Sequence, residues 1–258
     1  MTLFHDVRGQ GPALVLLHGW AMHAGIFAPL VERLAPHFTV HRVDLPGHGR
    51  SAGAGLPLTL ENAAAQVCTA VPARALWLGW SLGGLVALHA AAARPAQVRG
   101  LVMMAASARF VRSDDWPHGM DASVFRDFAK ALGGDYRGTL DRFLMLEAQG
   151  SDHVREELRL LRGVVFAHGE PAADVLCDGL GLLESSDLRG ALPGLAMPSL
   201  WIGGRRDRLV SPAAMQAAAA LAPSSRWHEV ASGGHAPFLT HADEVVSALR
   251  DFDAGVAP

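Results

Sequence analysis

Short apolar runs at residues 13–17, 75–78 and 98–104 are too brief for helices and show little polar alternation. That is the pattern of strands buried on both faces of a sheet. Residues 26–34 and 58–71 instead carry apolar side chains at helical spacing. Residues 38–43 read as a further strand, and residues 2–7 as an early one turned back by Gly9-Gln10-Gly11-Pro12. Late in the chain the alternation resumes, with strands at 199–203 and 226–230. Strands alternating with helices predict an α/β fold, a mostly parallel central sheet with helices on both faces.

The alternation breaks between residues 109 and 186. No strand pattern occurs there, and helices are expected at 124–132, 139–148, 153–163 and 171–184. The expected organisation is therefore a core built from residues 1–108 and 187–258, with 109–186 inserted between sheet strands as a helical cap over their carboxyl ends. Phe143, Leu144 and Leu146 either line an acyl tunnel under that cap or serve as ordinary helix core.

Half of the 258 residues are apolar, enough for one large core. The net charge of −3 comes from intermixed acids and bases, so nothing in the charge balance calls for nucleic acid or an anionic membrane. No run is long and apolar enough to cross a bilayer. The opening Met-Thr-Leu-Phe-His-Asp lacks the pattern of a secretory signal, so a cytoplasmic location is expected. Cys68 and Cys177 lack metal-ligand spacing and are expected to be reduced thiols.

The candidate chemistry starts at Gly79-Trp80-Ser81-Leu82-Gly83, where the apolar run 75–78 meets a helical pattern. Gly-x-Ser-x-Gly between strand and helix is a nucleophile elbow, with Ser81 at its apex and the Leu82 amide at the positive end of the following helix. A glycine-rich turn with an incidental serine has the same local pattern, so the motif depends on its partners. Asp207 lies just past the strand at 199–203, where an acid belongs in Ser, Asp, His chain order. Asp187 competes with it but sits at the exit of the helical insertion. Among thirteen histidines, His235 follows Asp207 by one helix and one strand, on the Gly233-Gly234 loop. His228 falls inside a strand and His241 in the next helical segment. His18 reads as a structural hydrogen-bonding residue. Asp44-Leu45-Pro46-Gly47-His48-Gly49-Arg50-Ser51 lacks the lysine and spacing of a phosphate loop and reads as a structural turn near the site. Ser81, His235 and Asp207 would act as nucleophile, base and orienting acid. That chemistry needs no metal and no organic cofactor.

Together these residues resemble the α/β-hydrolase family over essentially the whole chain. The longer strings Leu16-Leu17-His18-Gly19-Trp20, Trp77-Leu78-Gly79-Trp80-Ser81-Leu82-Gly83-Gly84, Asp115-Trp116-Pro117, Asp141-Arg142-Phe143-Leu144 and His235-Ala236-Pro237-Phe238 are similar to a narrower group within it. These are the methyl ester esterases that act on pimeloyl-acyl carrier protein in biotin synthesis. The resemblance implies oxyanion donors at the amides of Trp20 and Leu82. It also implies an acyl site at Trp20, Ser81, Leu82, Phe143, Leu144, Met145, Leu146, Glu147 and His235. The implied partner is an acyl carrier protein bearing the pimeloyl methyl ester, gripped by Arg142, Arg155 and Arg159. Two positions depart from the pattern: Gly138 replaces an expected arginine, and Glu147 replaces a neutral amide, placing an acid at the expected tunnel mouth. A broad-specificity carboxylesterase, another Ser-His-Asp hydrolase and a non-catalytic ligand-binding relative remain alternatives.

Overall fold

The computed structural model describes residues 2–53 and 57–256. Among the described residues seven strands form one sheet: β1 (His5–Arg8), β2 (Ala13–Leu17), β3 (Thr39–Val43), β4 (Ala75–Trp80), β5 (Val98–Met104), β6 (Ser199–Gly204) and β7 (Ser225–Val230). Their spatial order is β1-β3-β2-β4-β5-β6-β7, and only β1 runs antiparallel to its neighbour. The most apolar runs are the central strands. Leu14 to Leu17 and Leu76 to Leu78 have no exposed surface, and they pair in register as Leu14 with Leu76 and Leu16 with Leu78.

The helices of the sheet layers are α1 (Ala28–Leu34), α2 (Leu60–Ala70) and α3 (Leu82–Ala93). After them come α4 (Ala122–Leu132), α5 (Tyr136–Ala148), α6 (Val154–Val165) and α7 (Ala173–Ser185), then α8 (Pro212–Ala219), α9 (Pro237–Thr240) and α10 (Ala242–Asp253). Both faces of the sheet are covered. Gly100 of β5 faces Phe252 of α10, whereas Met103, three residues on and so on the opposite face, lies against Gly84 of α3. α1 packs on α10, and α2 on α3. The helical pattern at 26–34 splits in two, a 3-10 turn over Ala24–Phe27 and then α1 with Pro29 in its first turn. Proline is accommodated there because the first amides of a helix have no intrahelical acceptor.

All four helices α4–α7 lie between β5 and β6, which are neighbours in the sheet. The two ends of this helical block are pinched together. Arg109 bridges Asp187, and the Leu188 amide donates to the Ala108 carbonyl at 2.9 Å. Within the block α4 packs on α7 and α5, and α5 packs on α6. α5 begins at Tyr136, ahead of the predicted 139, because the Asp135 side chain accepts from the Gly138 amide and caps the first turn. No helix among the described residues is long and apolar enough to cross a membrane.

Candidate active site

β4 ends at Trp80 and α3 starts at Leu82, so strand becomes helix across the single residue Ser81, at φ 53° and ψ −120°. A positive φ on a residue with a Cβ costs roughly 1–3 kcal/mol and persists only where its surroundings enforce it. Here the Ser81 amide donates to Met104 of β5 at 3.1 Å, and the Gly84 amide donates to the Ser81 carbonyl at 2.9 Å. The flanking glycines permit the turn. A Cβ on Gly79 would stand 2.2 Å from the Gly83 oxygen, and one on Gly83 would stand 2.3 Å from the Leu17 oxygen.

His235, on the loop after β7, reaches the serine. Its Nε2 lies 2.9 Å from Ser81 Oγ, and its Nδ1 lies 2.8 Å from Asp207 Oδ2. Asp207 lies just beyond β6, and its Oδ1 accepts from the amides of Leu209 at 2.8 Å and Val210 at 2.9 Å. A carboxylate held this way requires the hydrogen on Nδ1, which leaves Nε2 free to accept from the Ser81 hydroxyl. Ser81 and His235 are fully buried. Burial alone would lower the His235 pKa, but the Asp207 charge and hydrogen bond outweigh it and raise it above the ordinary value. The competing groups are engaged elsewhere. Asp187 pairs with Arg109 and Arg189, His228 with Glu244, and His241 with Thr240.

The loop after β2 stands beside Ser81, since a Cβ on Gly19 would fall 3.3 Å from Ser81 Cβ. His18 organises this loop. Its Nε2 accepts from the Leu45 amide at 2.9 Å, so Nδ1 carries the hydrogen and donates to the Gly19 carbonyl at 2.8 Å. Burial holds the His18 ring neutral, with its pKa pushed down to about 3. Because the C=O and N–H of a trans peptide point opposite ways, capture of the Gly19 carbonyl turns the Trp20 N–H to the other side. That amide has no acceptor among the described residues. Nearby, Asp44 gathers the Ala24 amide together with the Arg50 amide and guanidinium, so the 44–51 loop is a hydrogen-bonded turn.

A family model described as "alpha/beta hydrolase fold" matches residues 12–242. The chain belongs to that family. This hydrolase is 61% identical over 251 residues to "Pimeloyl-[acyl-carrier protein] methyl ester esterase" of Xanthomonas campestris pv. campestris, covering 97% of this chain and 98% of the relative. It is 58% identical over 253 residues to the protein of that name from Stenotrophomonas maltophilia, covering 98% and 97%. Among solved structures, the enol-lactonase of Burkholderia xenovorans superposes with a TM-score of 0.84 at 23% identity, covering 98% of this chain and 96% of that one. The bromoperoxidase of Bacillus anthracis does so with 0.86 at 20%, covering 98% and 95%. At such identities these two speak for the fold alone.

The hydrolase brings only part of the expected acyl site together. Leu140, Phe143, Leu144 and Glu147 form the buried face of α5, and the Phe143 ring lies 4.4 Å from Trp20 between centroids. Met145 is 44% exposed, because a helix turns it away from that face, and Leu146 is half-buried. Glu147 is not at a tunnel mouth. It is fully buried, within electrostatic reach of His235, Asp207 and Glu157. Arg155 and Arg159 are exposed on α6 and enter no ion pair among the described residues. Arg142 pairs with Asp135, and Arg162 pairs with Asp141. At Gly138 a Cβ would fall 2.1 Å from Asp135 Oδ2, so an arginine there would displace the cap of α5. Both cysteines are free, Cys68 buried and Cys177 exposed.

Four hydrogen bonds of the site are not evident from the sequence. Trp80 Nε1 donates to the His235 carbonyl at 2.8 Å, and Trp20 Nε1 donates to Leu176 of α7 at 2.8 Å. Glu157 of α6 accepts from Ser151 at 2.7 Å and Thr240 at 2.8 Å. Glu157 leaves a signal, an acid in the stripe shared with Leu161 and Val165, where a solvated helix face would not place it.

Proposed function

We propose that this chain is a cytoplasmic serine carboxylesterase that hydrolyses the methyl ester of pimeloyl-acyl carrier protein methyl ester, releasing pimeloyl-acyl carrier protein and methanol in biotin biosynthesis. The hydrogen-bonded series Ser81–His235–Asp207 on a strained elbow supports the chemistry. The substrate rests on the curated relatives of that name, aligned over nearly the whole chain.

His235 Nε2 takes the Ser81 proton as Oγ attacks the ester carbonyl. The amides of Trp20 and Leu82 hold the developing oxyanion, and Asp207 keeps the ring oriented and stabilises its cation. As the tetrahedral species collapses, His235 returns the proton to the methoxy oxygen, and methanol leaves an acyl-Ser81. His235 then deprotonates a water that attacks the acyl carbon, and the free acid departs. With Ser81 and His235 fully buried, residues 109–186 act as a cap that moves to admit substrate. An aromatic series from Phe128 through Phe143 to Trp20 supports an acyl path beneath it. Arg155 and Arg159, exposed on α6, supply charge complementary to an acidic carrier protein, with Arg142 beside them on α5.

The test is methanol release from the pimeloyl methyl ester on acyl carrier protein and from the same ester on a small thiol. The carrier substrate should be preferred in kcat/KM by about tenfold or more, and Arg155→Glu with Arg159→Glu should erase most of that preference. Ser81→Ala should lose both turnover and labelling by a fluorophosphonate. Full activity in Ser81→Ala would sink the mechanism, and equal rates on both substrates would sink the carrier assignment.

A further inference from the structure

Glu147 is the least accommodated polar group in the site. It shares the buried face of α5 with Thr139, Leu140, Phe143, Leu144 and Ala148, it is fully buried, and neither carboxyl oxygen has a hydrogen-bond partner among the described residues. Leaving a buried polar group unpaired is costly in any fold. The charged groups facing it come from three elements: His235 from the loop after β7, Asp207 from the loop after β6, and Glu157 from α6. Two of the three are acids. The only group able to become a cation, His235, already spends its Nδ1–H on Asp207. An ionised Glu147 would therefore lie among carboxylates with no cation of its own.

From this juxtaposition we infer that Glu147 is a specificity-determining residue: protonated, it lets the acyl site hold either an ester or a carboxylate, and ionised, it makes the site reject the carboxylate that hydrolysis leaves behind. The inference rests on the ester-hydrolase reading above. As a neutral acid Glu147 has one O–H to donate, and no protein acceptor takes it. An ester oxygen or a carboxylate held beside His235 can. As a carboxylate, the fully buried Glu147 has only lone pairs and repels a second anion with little solvent screening. The reaction converts the first kind of ligand into the second: ester and water become carboxylate, methanol and one proton. Burial, with Asp207 and Glu157 adding to it, pushes the Glu147 carboxyl up to about 8, while His235 works against them. At neutral pH the site accepts the ester, and the product carboxylate is retained only while Glu147 keeps its proton.

The discriminating experiment is calorimetric titration of the intact enzyme with hexanoate, a linear carboxylate, and with hexanamide, its neutral counterpart, at pH 7, 8 and 9. Each titration is run in two buffers of different ionisation enthalpy, so that protons taken up on binding are counted. Hexanoate should bind about tenfold more weakly at pH 9 than at pH 7, and its uptake should approach one proton per ligand at pH 9. Hexanamide should change little. In Glu147→Gln, hexanoate binding should lose both its pH dependence and its proton uptake. A merely structural role for Glu147 would move neither. Proton-silent, pH-independent hexanoate binding by the unmodified enzyme overturns the inference, as does unchanged uptake in Glu147→Gln. The unmodified enzyme decides the matter even if that variant does not fold. Failure of the ester-hydrolase reading would show separately, as absent turnover, since these titrations require none.

Discussion

Trp80 lies one residue before Ser81, yet its side chain engages the histidine loop. Its indole N–H holds the His235 backbone at 2.8 Å, and its ring packs 5.8 Å from the imidazole and 5.1 Å from Phe238. Since His235 sits on a glycine-paired loop, this bond limits how far the imidazole can drift from Ser81. Trp80→Phe keeps most of the buried ring but leaves the His235 carbonyl unpaired, a cost of about 1–3 kcal/mol. The expected result is a kcat roughly tenfold lower, with a smaller change in KM, because alignment matters most in the proton-transfer steps. Steady-state kinetics on a small soluble ester reads this directly, and an unchanged kcat would refute the clamp. The Gly-x-Ser-x-Gly spacing makes the elbow legible in the residue order alone. The tryptophan's task is not legible there, because its acceptor lies 155 residues away.

At the scale of elements, α7 closes tightly over Trp20 on the loop after β2. Gly179 allows it, since a Cβ there would stand 2.7 Å from Trp20 Cδ1 and 3.4 Å from Leu82 Cδ2, the two residues whose amides are assigned to the oxyanion. Gly179→Ala is expected to force α7 and the Trp20 ring apart. Overpacking of this kind costs about 1–3 kcal/mol, and here it also displaces the loop that carries Trp20, whose amide is proposed as an oxyanion donor. The melting temperature should fall by a few degrees, roughly 2–4 °C per kcal/mol for a chain of this size. The kcat on a small ester should fall with it, since the damage is to chemistry rather than to carrier binding. A variant that melts lower but turns over normally would remove α7 from the positioning of Trp20. The helices of the block are readable from their periodicity. Which of their faces meets the core is not, and Met145 shows the consequence: adjacent to Leu144 in sequence, it is solvent-facing.

Across the whole molecule, buried titratable groups set opposite pH trends. His18 and His48 are buried and held neutral, with pKa values pushed down by burial to about 3 and about 4. Both are below the unfolded value, so on acidification through about pH 6.5 the unfolded chain takes up protons that the native state refuses, and stability falls from there toward pH 4. Glu147 acts in the other direction. Raised by burial to about 8, it makes the native state bind the extra proton, so its destabilising contribution grows as pH rises from about 4.5 to 8. Thermal melts of the unmodified protein should therefore show a midpoint falling below pH 6.5. Glu147→Gln should gain stability that is absent near pH 4 and largest near pH 8. A variant advantage that does not depend on pH would mean the carboxyl ionises in the native state much as it does in the unfolded one.

The strand-and-helix alternation, the break where four helices are inserted, and the chain order Ser81, Asp207, His235 all follow from the amino-acid sequence. They depend on local periodicity, on glycine spacing and on the requirement that central strands be apolar on both faces, all written within a few neighbouring residues. The place of Asp207 after a strand already favours it over Asp187, and packing adds the reason that Asp187 is consumed by Arg109 and Arg189 where the two ends of the insertion close. Packing also puts Glu147 among His235, Asp207 and Glu157, groups that four separate elements bring together. Helical spacing shows that an acid interrupts an apolar stripe. What that stripe is pressed against, and so whether the acid keeps its proton, depends on how distant segments come together.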